Sequence, residues 1–99
     1  MIVQLSDDAE IDLLVAVAFY EKHGTHVGDL FLVSITKDIK SLEHTGGIHS
    51  LRFGYHCMSS KKFPFAIYYF IDHEQVNVVA ILDERQDPES ISRRLSGEE

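Results

Sequence analysis

Cysteine is almost absent from this chain of 99 residues, which contains Cys57 alone. A single cysteine forms no internal disulfide and supplies only one of the thiolates of a two-cysteine zinc site. The six histidines are scattered, without cysteines or carboxylates at the spacing that a metal site needs. We therefore expect a protein with no metal and no other cofactor, located in a reducing cytoplasm.

Long apolar runs and compositionally biased segments are also missing. The longest uncharged apolar stretch covers residues 13–20, whereas a membrane-spanning helix needs roughly 20 residues. Apolar residues make up 44% and charged residues 25%, an ordinary balance for a soluble folded protein. A chain of this length supports one hydrophobic core. We expect one domain over residues 1–99, with neither membrane insertion nor secretion.

Positive charge is scarce: nine lysines and arginines face sixteen acidic residues, which gives a net charge of −7. A negative field repels nucleic-acid backbones, so phosphate binding would need a local basic patch. The second half of the chain could supply one from Arg52, Lys61, Lys62, Arg85, Arg93 and Arg94. We expect no direct sequence-specific nucleic-acid binding.

The first half of the chain predicts a strand followed by two helices. A short apolar run over residues 2–5 stops at Ser6, whose side chain suits the start of a helix. Acidic residues favour that helix start, and Gly24 is typical of a helix end, so we predict a helix over about 7–23. Its centre is apolar on nearly every side, which predicts packing against both a sheet and another helix. Apolar residues at helical spacing predict that second helix over about 26–43.

The second half predicts three strands and a short helix. Leu51, Phe53 and Tyr55 alternate with polar residues or glycine, which is typical of a half-buried strand. Residues 65–71 and 76–82 are β-prone runs joined by a short polar loop, so they predict a central hairpin. Pro88 suits the first turn of a helix over about 88–95. The whole pattern predicts an α+β fold, in which a two-helix hairpin packs on a mainly antiparallel sheet of three to four strands.

This order of elements, with several short motifs, resembles the RelE/ParE family of toxins from type II toxin–antitoxin systems. Asp12-Leu13 and residues 18–21 are similar to the family's first helix. Residues 63–69, Phe-Pro-Phe-Ala-Ile-Tyr-Tyr, resemble its Phe-Pro-[Tyr/Phe]-x-Ile-x-Tyr strand, and residues 78–82 its final strand. Residues 85–88, Arg-Gln-Asp-Pro, resemble its Arg-x-x-Pro exit. The resemblance covers nearly the whole chain.

The resemblance implies a cognate antitoxin as partner and a choice between two kinds of target. Members of the nuclease branch cleave messenger RNA on the ribosome, whereas the ParE branch acts on DNA gyrase. Nucleases of the family commonly carry an arginine where this chain has Ala66, and some use a C-terminal tyrosine or histidine where Ile91 stands. Arg85 does match a family arginine. With the negative net charge, these differences favour a ParE-like inhibitor that is not an enzyme, although an endoribonuclease or a catalytically silent interaction module stays open.

Several polar residues are candidates for a functional site. A target would be contacted by residues from the second half, where most of the basic residues lie, namely Arg52, Tyr55, Lys61, Lys62 and Arg85. In a nuclease, His56 would act as general base, with Arg85 and the two lysines binding phosphate. Two of these residues have an ordinary alternative: Arg85 could pair with a nearby carboxylate, and His56 could be a structural strand residue.

Overall fold

The computed structural model describes residues 1–97 and contains, over that range, five strands and three helices. In chain order these elements are β1 (Ile2–Leu5), α1 (Asp7–Glu21), α2 (Thr25–Thr45), β2 (Leu51–Arg52), β3 (Tyr55–Ser59), β4 (Phe65–Asp72), β5 (Gln75–Asp83) and α3 (Pro88–Ser96). The predicted α+β class and the short C-terminal helix are confirmed. The predicted domain end at residue 99 lies outside the described residues.

The strands form one sheet in the order β1-β5-β4-β3-β2. β1 is parallel to β5, and the other neighbours are antiparallel, so the sheet is mainly antiparallel as predicted. It has five strands rather than three to four, because the single strand predicted from Leu51 onward is wrong. Phe53 and Gly54 both have positive φ, 56° and 86°, and form a tight turn that folds residues 51–59 into a hairpin. Leu51, expected to face the core, is 62% exposed.

Helices cover both faces of the sheet. α1 and α2 pack on one face, called here the hairpin face, over a core that includes Phe31, Ile35 and Ile67. α3 packs on the opposite face, called here the α3 face, over a second core that includes Tyr68, Ala80 and Ile91. β5 contributes to both cores because helices cover both faces of the sheet and successive residues of a strand point to opposite faces. The register shift next to Tyr69 adds one extra residue to β5, so the alternation between the two faces changes there. Burial on both faces accounts for the apolar character of β5 at almost every position.

α1 differs from its prediction in two respects. It packs against α2 and the sheet as expected, but its burial on nearly every side is wrong: Ile11, Leu14, Val15 and Phe19 are 56%, 68%, 63% and 48% exposed. The helix also ends at Glu21, and Gly24 is not the left-handed closing residue. With φ 125° and ψ 137°, Gly24 precedes the first residue of α2.

An ion pair between α1 and α3 joins both helices to the sheet. Asp12 of α1 receives two hydrogen bonds from the Arg94 guanidinium, each 2.7 Å long. The same carboxylate accepts the backbone N–H of Ile81 at 3.0 Å, just beyond the part of β5 that pairs with β1. Asp12 therefore occupies a sheet edge that β1 is too short to cover.

Candidate functional site

Arg52 and Tyr55 lie opposite each other on the β2–β3 hairpin, on the α3 face of the sheet. The Arg52 guanidinium carbon lies 5.5 Å from the centre of the Phe53 ring, within the range of a cation–π contact. The Tyr55 ring lies 6.3 Å from that of Phe70. Arg52, Phe53 and Phe70 are all exposed. One cation among three aromatic rings makes a surface suited to contacting another macromolecule.

Beneath this surface lie two protonated side chains, Cys57 and Tyr68, whose strand positions are paired across β3 and β4. Burial raises the pKa of the Cys57 thiol, and Tyr68 and Arg52 beside it lower that pKa by less. Burial, and then the neighbouring Cys57, raises the pKa of Tyr68 to about 12. Neither group is ionised near neutral pH, so this site holds no ready nucleophile or general base.

His56 lies on the opposite, hairpin face and takes part in a polar cluster. Its Nδ1–H donates to the His49 carbonyl at 2.6 Å, and its ring stacks on that of Tyr69 with centroids 5.0 Å apart. The Tyr69 hydroxyl lies 2.6 Å from His49 Nδ1 and accepts the Gly47 N–H at 2.9 Å. Burial, and then nearby His56, lowers the pKa of His49. These contacts fasten the segment after α2 to the sheet.

The three remaining candidates, Lys61, Lys62 and Arg85, lie at the end of the sheet where β5 finishes. Lys61 and Lys62 belong to the β3–β4 loop, and the Lys61 N–H donates to the Asp38 carboxylate at 3.3 Å. Arg85 makes two hydrogen bonds, of 3.0 and 2.7 Å, to the Asp83 carboxylate. The pKa of Asp83 is lowered, chiefly by its hydrogen bond from Arg85. Arg85 therefore pairs with a nearby carboxylate, which is the ordinary alternative to a role in target binding.

The structure therefore divides the predicted site residues into three groups. Arg52 and Tyr55 share the α3 face, His56 is on the hairpin face, and the two lysines and Arg85 occupy the loops at one end. These residues do not surround a common reaction centre. Ala66 is fully buried in the apolar core of the α3 face, so apolar packing fills the place where nucleases of the RelE/ParE family carry an arginine. Over residues 1–97 no three His, Cys, Asp or Glu side chains are grouped to hold a metal ion.

The apolar side of α1 is a further surface, which the sequence did not reveal. Four exposed residues of α1 form what is called here the α1 stripe, namely Ile11, Leu14, Val15 and Phe19. They lie along one helix face because Leu14 and Val15 are three and four positions after Ile11, and Phe19 is four after Val15. The stripe continues into a groove of about 280 Å³, where Val15 and Phe19 meet Phe65 and Ile81. The sequence predicted a helix centre that is apolar on nearly every side, but it could not show that nothing in residues 1–97 covers these four residues.

No helix in the described part of the chain combines the length and apolar character needed to cross a membrane. No family model and no curated protein matches the chain. Among solved structures, the chain is similar to one from the chromosomal ParDE toxin–antitoxin system of P. aeruginosa. The TM-score is 0.73 at 17% sequence identity, and the match covers 82% of this chain and 92% of the other. The chain therefore shares the fold of that protein, as its motifs predicted.

Proposed function

We propose that this chain is a member of the RelE/ParE family and the toxin of a type II toxin–antitoxin system, of the ParE-like kind. The observation that carries this proposal is the fold shared with a chain of the ParDE system over 82% of the present sequence. The Phe-Pro strand motif and the Arg-x-x-Pro exit support it independently, because they occur in the order that the family shows. A role in growth inhibition or plasmid stabilisation, in a bacterial cytoplasm, belongs to the same proposal.

The toxin acts by binding rather than by catalysis. Cys57 and Tyr68 hold their protons at neutral pH, and apolar packing surrounds Ala66. The polar candidates lie in separate places, whereas phosphodiester cleavage needs an acid, a base and a cation around one phosphate. The target is a macromolecule such as DNA gyrase, contacted through Arg52 and Tyr55 on the α3 face and through Arg85 at the end of the sheet.

The antitoxin covers the α1 stripe. A monomer that exposes four large apolar side chains on one helix face has a surface suited to a protein partner. The first turn of the same helix carries Asp7, Asp8 and Glu10. We therefore assign to the stripe an amphipathic antitoxin segment whose apolar side chains face α1 and whose polar positions include lysine or arginine.

One observation favours a second function, a ribosome-dependent endoribonuclease. Lys61, Lys62 and Arg85 lie at the same end of the sheet, where cations could bind an RNA backbone. His56, the proposed base, is at the other end of β3 with its Nδ1 occupied. A catalytically silent interaction module is the third possibility, which toxicity separates from the other two.

Induced expression of the chain alone, followed by supercoiling assays and transcript mapping, tests these functions. The leading proposal predicts slower growth, inhibited gyrase supercoiling and no new cuts at codon positions by primer extension. New cuts would establish the nuclease instead. Normal growth, with no small partner protein encoded beside the gene, would overturn the toxin proposal.

A further inference from the structure

A second cleft, of about 330 Å³, lies between α2 and the loop that joins β3 to β4. Small-molecule sites in proteins are commonly about 300–1,000 Å³, so the volume suits a ligand of modest size. Its polar lining consists of Ser34, Lys37, Asp38, Ser41, Lys61 and Lys62. We call it the α2 cleft. It shares no lining residue with the groove beside the α1 stripe.

The α2 cleft is positively charged although the chain is strongly negative. Three of the five lysines in the sequence line it, together with one carboxylate, that of Asp38. Asp38 is only 4% exposed, and it accepts hydrogen bonds from the Ser60 hydroxyl at 2.7 Å and from the Lys61 N–H at 3.3 Å. Asp38 therefore holds the loop against α2 and keeps Lys61 and Lys62 beside the cleft. Three ammonium groups and one carboxylate leave two positive charges for a ligand.

Ser34 gives an independent indication of a ligand. It is 9% exposed, lines the cleft and makes no side-chain hydrogen bond to any described residue. Yet no fully enclosed side-chain oxygen or nitrogen of residues 1–97 lacks a partner. The Ser34 hydroxyl must therefore reach the cleft itself. A buried hydroxyl without a protein partner loses free energy unless water or a ligand in the cleft bonds to it, so a phosphate oxygen that displaces water there gains a hydrogen bond from Ser34.

One wall of the α2 cleft is apolar. Leu30 and Val33, on successive turns of α2, are 51% and 55% exposed, and Phe63 stands across from them. An inorganic anion would leave this wall in contact with water. The combination of a cationic side, a free hydroxyl and an apolar wall fits a ligand that has a charged group and an apolar or aromatic body.

We propose that the α2 cleft binds a small phosphomonoester with an apolar or aromatic body, about the size of a mononucleotide. Its phosphate is held by Lys37, Lys61, Lys62 and the Ser34 hydroxyl. Its body lies against Leu30, Val33 and Phe63. A phosphomonoester carries a charge of about −1.5 to −2 at neutral pH, which matches the two positive charges of the cleft better than a single carboxylate does. This site is independent of the toxin function proposed above.

The test is a titration of the isotope-labelled full chain with adenosine 5′-monophosphate, followed by amide chemical shifts. Saturable shifts are expected around Ser34 and Lys61–Phe63 at or below millimolar concentration. Adenosine and inorganic phosphate, each lacking half of the ligand, should bind at least about tenfold more weakly. Absence of saturable shifts, or equal binding of adenosine or of phosphate alone, would overturn the proposal.

Matched variants locate the site. The double variant Lys61→Gln/Lys62→Gln should weaken binding about tenfold or more, because two charge-assisted contacts to the phosphate are lost. Lys22→Gln/Lys40→Gln makes the same change of charge at exposed positions outside the cleft and should change affinity less than about twofold. Ser34→Ala, with an unchanged unfolding temperature, should also weaken binding. Equal losses in the two double variants would show a general charge effect and would refute the assigned site.

Discussion

At the scale of single residues, Tyr68 makes the stability of the folded chain depend on pH. Its pKa, about 12 in the folded chain, lies above the ordinary value of 10.0. The folded state therefore holds the phenolic proton more tightly than the unfolded state does, and this contribution to stability is complete below pH 10. It is lost as the pH rises from 10 to about 12, the values between which the two states differ. Urea unfolding from pH 8 upward should show stability falling over this window.

Tyr68→Phe is the matched variant for this prediction. It keeps the buried ring and removes the ionisable hydroxyl, so the decline above pH 10 should become shallower. Cys57 should leave a residual decline, because burial raises its pKa above 9.0 in the folded chain. Identical pH profiles for the wild type and the variant would show that Tyr68 does not carry the effect.

A substitution of Arg85 should reduce target binding without reducing the stability of the fold. Arg85 is highly exposed and pairs with its near neighbour Asp83, and exposed ion pairs stabilise proteins little. Arg85→Ala should therefore leave the unfolding temperature nearly unchanged while reducing growth inhibition on induction. Arg93→Ala is the control, because Arg93 is similarly exposed and pairs with Glu89 one turn away on α3. Equal toxicity of the two variants would remove Arg85 from the target-binding surface.

At the scale of elements, local signals predicted most of the secondary structure and failed where a backbone conformation is unusual. The starts of α1 and α3 follow from Ser6 and Pro88, which the sequence marks clearly. The β2–β3 hairpin was missed because its turn places Phe53 at φ 56°, a region that large side chains seldom adopt. One continuous strand and two strands joined by a two-residue turn give the same alternation of apolar residues. The sequence pattern therefore could not distinguish them.

The contact between α1 and α3 was also beyond the sequence, since Asp12 and Arg94 are 82 positions apart. Asp12 looked like one of several acidic residues at a helix start, whereas its side chain is only 11% exposed. Asp12→Asn should keep one acceptor oxygen but lose the charge that pairs with Arg94. We expect the free energy of unfolding to fall by about 1–3 kcal/mol, measured by urea denaturation.

Glu10→Gln provides the control for this ion pair. Glu10 is exposed on the same helix, and its substitution should change the free energy of unfolding by less than about 0.5 kcal/mol. Two equal losses would mean that helix-end electrostatics, and not the contact among α1, α3 and β5, explain the effect of Asp12→Asn.

At the scale of the whole molecule, sequence patterns gave the fold class but not the grouping of the candidate residues. Successive side chains of a strand point to opposite faces of the sheet. Tyr55 and His56 are neighbours on β3, so they lie on different faces. The end-of-sheet position of Lys61, Lys62 and Arg85 depends on which strands pair, which alternation cannot specify. The α1 stripe is exposed because no other element of residues 1–97 packs over it. A local sequence pattern does not contain that information.

The α1 stripe gives the last prediction, because its exposure separates partner binding from folding. Leu14 and Val15 are 68% and 63% exposed, so Leu14→Glu/Val15→Glu should leave the circular dichroism spectrum and unfolding temperature close to wild type. The two carboxylates would have to be buried, without partners, beneath an apolar antitoxin segment, which is costly. Co-expression with the proposed cognate antitoxin should therefore yield a complex with the wild type and none with the double variant.

A variant with the same added charge elsewhere completes this experiment. Thr36→Glu/Ser92→Glu places two carboxylates at exposed polar positions away from the stripe, and it should retain the complex. Loss of the complex in both variants would indicate a general effect of negative charge on association. Retention in both would move the antitoxin to another surface while leaving the toxin proposal standing, because toxicity is measured without the partner. Loss confined to Leu14→Glu/Val15→Glu is the result that an antitoxin seated on the outer face of α1 requires.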